Sequence, residues 1–201
     1  MAINRYLGAG VHVEDPPLAR LLFSNTKMAW FWLVVRLYVG YQWLYAGYEK
    51  FESDAWFGNG SALAGFWKGA VAVPAAPAKA AITFDWYRSF LQFLLDAGTA
   101  PVFAKVITLG EMAVGLGLIV GAFVGVAAFF GALMNMNFML AGSASTNPVL
   151  FFLAIGLMLG WKIAGYYGLD RVLLPLVNTP WHGVKVELTD GQPARPASVA
   201  A

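Results

Sequence analysis

PVFAKVITLGEMAVGLGLIVGAFVGVAAFFGALMNMNFMLA, residues 101–141, holds two apolar runs separated by a glycine. A helix needs about 20 predominantly apolar residues to cross a bilayer. Residues 102–120 and 122–141 each approach that length, and Gly121 with Gly125 marks a turn between them. A similar run precedes them at 29–48, inside AWFWLVVRLYVGYQWLYAGYEK (29–50), and another follows at 148–169, after the loop bracketed by Gly142, Asn147 and Pro148. The sequence therefore predicts an all-α fold, an integral membrane four-helix bundle. Two charged residues interrupt it: Arg36 inside the first run and Glu111 inside the second. An ionised group in hydrocarbon is costly unless paired or hydrated, so such residues face the bundle interior and mark a structural pair or a site.

Composition supports the membrane reading. Of 201 residues, 59% are hydrophobic and 12% charged, and mean hydropathy is +0.63. A soluble domain carries about 25% charge. The net charge of +2 gives no field suited to nucleic acid. The chain has no cysteine, and its two histidines, His12 and His182, lie in the polar flanks. These facts exclude disulfides and Cys-ligated zinc or iron–sulfur clusters, and no haem held between histidines of the spans is expected. No metal site is expected either, because Glu111 is the only acidic residue within the spans. Redox chemistry in this chain would need a diffusible carrier or a partner.

Residues 1–28 read as a polar arm without a signal peptide, 29–174 as the membrane domain and 175–201 as a polar tail. The insertion from Glu49 to Ala100 is rich in aromatic residues. Within it ITFDWYRSFLQFLLDAG (82–98) places apolar residues at helical spacing and predicts an amphipathic helix at the interface. Arg20 and Lys27 before the first span, and Arg171 after the fourth, place both termini in the cytoplasm and the aromatic-rich loop outside a plasma membrane.

Arg36, Gly40, Trp43, Gly47 and Lys50 share one face of the first helix. Thr108, Glu111 and Gly115 share a face of the second, and Gly131, Asn135 and Phe138 a face of the third, with Asn137 offset. Small residues on these faces let helices approach closely. At a rise of 1.5 Å per residue, Arg36 and Glu111 differ in depth by ~6 Å, within reach of an extended arginine. Three readings stay open for the pair: a salt bridge that pins helix register, the polar floor of a pocket for a small molecule such as a quinone head group, or a proton-transfer site. Arg36 and Glu111 are the candidate catalytic residues. Trp43, Lys50, Asn135 and Asn137 are candidates for lining the pocket, the asparagines better suited to interhelical hydrogen bonds than to a ligand.

RLYVGYQWLYAGYEKF (36–51) resembles the first-helix signature of the DoxX family, and LGEMAVGLGLIVGAFVGVAAFFG (109–131) resembles its Gly-Glu hairpin. LMNMNFMLAGSASTNPVLFFLAIGLMLG followed by GYYGLDRVL is similar to the family's second half, and TFDWYRSFL and ALAGFW resemble the DoxD branch. The likeness covers roughly residues 29–174. It implies a four-helix membrane subunit of a thiosulfate:quinone oxidoreductase, with quinone as a non-covalent ligand and a separate protein partner. The other reading is a structural or accessory subunit of a larger respiratory or photosynthetic membrane complex.

Overall fold

The computed structural model describes residues 14–177. Among them every regular element is helical and there is no strand, as the apolar periodicities predict. The residues outside this range include both termini, His12, His182 and most of the expected tail.

The helices are α1 (Pro17–Ser24), α2 (Ala29–Phe51), α3 (Ser61–Val71), α4 (Asp85–Asp96), α5 (Ala100–Val120), α6 (Val124–Leu140), α7 (Asn147–Leu159), α8 (Trp161–Ala164) and α9 (Asp170–Leu176). Their ends follow local chemistry. Both α5 and α7 carry proline in the first turn, where the missing N–H is not needed. α5 ends on Gly121 in the left-handed region (φ 70°), the common C-terminal stop.

Four helices pack in a ring: α2 against α5, α5 against α6, α6 against α7 and α7 against α2. The α2–α5 seam is the closest. A Cβ on Gly115 would stand 2.4 Å from the Leu44 nitrogen, and one on Gly47 would stand 2.9 Å from the Met112 nitrogen. These pairs fix the antiparallel register, with 47 level with 111–112 and 44 level with 115. The ring encloses one apolar core, including Trp32, Val39, Val114, Leu118 and Leu157.

Three expectations need correction. The insertion 49–100 is more than a loop with one helix. α2 continues to Phe51, a π-helical turn spans Asp54–Gly58, and α3 precedes α4. Leu63, Trp67, Tyr87 and Leu91 from α3 and α4 join Ala104 of α5 in a second apolar core. α3 is hard to read in sequence because Gly65 and Gly69 lower its helix propensity. The polar arm contains the amphipathic helix α1, whose Leu22 carbonyl accepts from Trp32 Nε1 at 2.6 Å. The run 148–169 is not one helix: α7 stops at Gly160, and α8 carries on for one turn. Hydrogen bonds from Gly160 N to Gly156 O and from Ala164 N to Gly160 O bridge the break.

Among the described residues α5 alone is both long and apolar enough to cross a membrane; α6 and α7 are apolar but shorter, at 17 and 13 residues. α2 has 23 residues, but its tyrosines and its charged C-terminal turn dilute its apolar character.

Candidate functional site

The C-terminal half of α2, the middle of α5, the C-terminal half of α6 and the start of α7 surround a cavity of about 330 Å³. Trp43, Lys50, Glu111 and Asn135 line it, together with Trp56 and Phe66 from the insertion. Ser143, Ser145, Thr146 and Asn147 of the α6–α7 connection complete its wall. Four of the six sequence-predicted residues therefore meet in one place, although Arg36 and Asn137 do not line it.

Its charged centre is an ion pair. Lys50 Nζ donates to Glu111 Oε2 at 2.7 Å. The Glu111 side chain is 1% exposed and that of Lys50 18%. Helix packing produces this contact. Gly47 brings α2 against Glu111 and Met112, and Lys50 lies about one turn further along the same face. The Lys50 ammonium also lies 5.3 Å from the Trp56 ring centroid, a cation–π distance.

The cavity wall also contains polar atoms with no partner. Asn135 is fully buried, and among the described residues neither its Nδ2 nor its Oδ1 finds a hydrogen-bond partner; the same holds for Trp43 Nε1. Leaving such a group unsatisfied costs about 1–3 kcal/mol. Gly131 makes room for the indole, since a Cβ there would be 3.0 Å from Trp43 Nε1. The residues of the wall thus include an ammonium, a carboxylate, a buried amide without a partner and two indole rings. That set suits a flat, neutral molecule carrying carbonyl or hydroxyl groups.

The expected Arg36–Glu111 contact is absent. Arg36 is 1% exposed, and its guanidinium donates to the carbonyls of Leu118 (2.7 Å), Ile119 (3.0 Å) and Tyr167 (3.0 Å). Two of these belong to the last turn of α5, whose carbonyls have no partner within the helix. Close by, Asp170 accepts from Phe123 N at 2.5 Å and Val124 N at 2.9 Å, capping the start of α6. A Cβ on Gly121 would lie 2.3 Å from Arg36 Nη1. Arg36 thus holds the end of α5 and Asp170 the start of α6, and together they clamp the α5–α6 turn. The depth estimate fails because the first turns of α5 overhang the end of α2. They pack on the Asp54–Gly58 turn and α3 instead, which shifts Glu111 toward Lys50.

Asn137 lies on the outer side of α6. Its Nδ2 donates to Leu133 O at 2.8 Å, and the Tyr87 hydroxyl lies 3.0 Å from its carbonyl, tying α4 to α6. Burial pushes the Tyr87 hydroxyl above the usual tyrosine range. Sequence reasoning missed Asp170 as a cap and Trp56 and Phe66 as cavity residues. The Gly-x-Asp-Arg exit signals the first, while nothing in helical periodicity signals the others. Comparison of the chain with protein-family models, curated proteins and solved structures finds no match.

Proposed function

We propose that this chain is a DoxX-like membrane protein whose ring of α2, α5, α6 and α7 spans the bilayer, and that its Lys50–Glu111 cavity holds a quinone head group. The carrying observation is the buried ion pair beside the unpartnered Asn135 amide and Trp43 indole N–H. Bilayer placement is supported by the many large apolar side chains that face outward, among them Val106, Leu116, Phe129 and Phe152, a surface that water does not favour. α7 and α8 together cover residues 147–164, ~27 Å of helix at 1.5 Å per residue, close to the ~30 Å hydrocarbon core.

Reduction of a quinone takes two electrons and two protons. In the thiosulfate reading, two thiosulfate ions join as tetrathionate and release those electrons on a partner subunit. Lys50 would polarise one ring carbonyl, and Glu111 would relay a proton. The quinone half of this reading is the better supported, because Glu111 neutralises Lys50 and leaves the cavity without net charge for a dianion. The test is titration of the protein in lipid nanodiscs with a tailless benzoquinone, read by tryptophan fluorescence. Binding that weakens at least tenfold in Glu111→Gln and Asn135→Leu, with folding retained, supports the site. Absence of binding to the wild-type protein ends the proposal.

A specific feature favours the accessory-subunit reading. Tyr38 and Tyr41, at the middle of α2, are exposed, and a phenol hydroxyl at mid-bilayer depth seeks a protein partner. Native mass spectrometry of gently solubilised membranes decides this: a co-purifying complex without quinone binding supports the accessory role.

A further inference from the structure

A second, larger concavity lies on the outer side of the α5–α6 hairpin. It has a volume of about 550 Å³ and an almost wholly apolar wall. Gly110, Ala113 and Gly117 of α5 leave it open along one side, and Val126, Phe130 and Met134 of α6 form the other. Asn137 is its one strongly polar residue, and that side chain is already bonded to Leu133 O and to Tyr87. Phe66 and Phe138 line both this groove and the polar cavity. Their rings meet edge to face at 6.5 Å between centroids, so the two spaces meet at these two aromatic rings. From Phe138 to Val126 the groove follows α6 for ~18 Å at 1.5 Å per residue.

We infer that the groove is the seat of a hydrocarbon chain belonging to the molecule whose ring enters the Lys50–Glu111 cavity, with Phe66 and Phe138 as the passage between ring and chain. This rests on the cavity reading and adds a second subsite to it. The groove's wall is almost wholly apolar, which suits a chain without heteroatoms, while the polar cavity has unmet hydrogen-bonding capacity. One ligand with a polar ring and a long apolar tail satisfies both. A bilayer acyl chain, the other hydrocarbon at hand, would fill the groove without any link to the cavity.

Two benzoquinones of identical ring, one tailless and one with a decyl chain, separate these cases when titrated into the nanodisc protein. Wild type is expected to bind the decyl form at least tenfold more tightly, after correction for partition into lipid. Ala113→Phe and Val126→Trp, which narrow the groove from positions already exposed, should abolish most of that preference while leaving affinity for the tailless ring unchanged. Retained tailless binding also shows that each variant is folded. A decyl preference unchanged in both variants overturns the tail subsite and leaves the ring site standing, as does a wild type with no preference. Failure of the tailless ring to bind wild type sinks the cavity reading itself.

Discussion

Among the described residues Glu111 has one charged neighbour within bonding distance, Lys50, and the two are unequally buried. Removing one member of a buried pair leaves the other uncompensated, whereas replacing both with apolar groups is often neutral. Lys50→Met should therefore cost about 3 kcal/mol, and adding Glu111→Leu to it should restore most of the loss. Thermal unfolding in detergent measures both; a double variant no more stable than Lys50→Met would show that the pair is not a coupled unit. Tyr87 adds a pH dependence. Burial raises its folded-state value above the ordinary 10.0, so the folded protein keeps a proton that the unfolded chain releases. Its contribution is complete below the ordinary value and is lost as pH rises through the folded one. The melting-temperature gap between wild type and Tyr87→Phe should thus stay constant at neutral pH and narrow as pH rises past about 10.

At the scale of elements, the α2–α5 seam depends on missing side chains. Gly115→Ala would drive a methyl into the Leu44 backbone, whereas a Cβ on Gly110 of the same helix would meet only Met134 Sδ at 3.5 Å. Gly115→Ala should destabilise by about 2 kcal/mol or more through overpacking, and Gly110→Ala by little or nothing. Equal melting temperatures for the two would refute the close-approach account. Arg36→Gln should lower stability without altering tailless-quinone affinity, since Arg36 serves α5's carbonyls and does not line the cavity. The stripe Arg36–Gly40–Trp43–Gly47–Lys50 was legible from helical spacing, as were α5, α6 and the amphipathic α4. Which charge on that stripe meets Glu111 was not, because axial register depends on how far α5 overhangs α2. α3 and the break at Gly160 escaped for a related reason. Glycine weakens local signals, and at Gly156 and Gly160 it instead leaves room for the Trp32 ring.

For the whole molecule, the absence of cysteine gives a clean test of topology. Lys79→Cys, in the exposed connection between α3 and α4, should react with an impermeant maleimide in intact cells. Arg20→Cys should react only after lysis. The reverse pattern would invert the orientation, and labelling of both in intact cells would contradict a spanning ring. The clamp at the α5–α6 turn bears on how such a ring is made. The N–H groups of Phe123 and Val124 await an acceptor, a carboxylate 47 and 46 residues later in the chain. At roughly 5–20 residues per second, the ribosome takes several seconds to deliver it. The α5–α6 turn is therefore completed only by a residue far downstream in the chain, so a chain cut short before Asp170 carries an α6 whose first amides lack this cap.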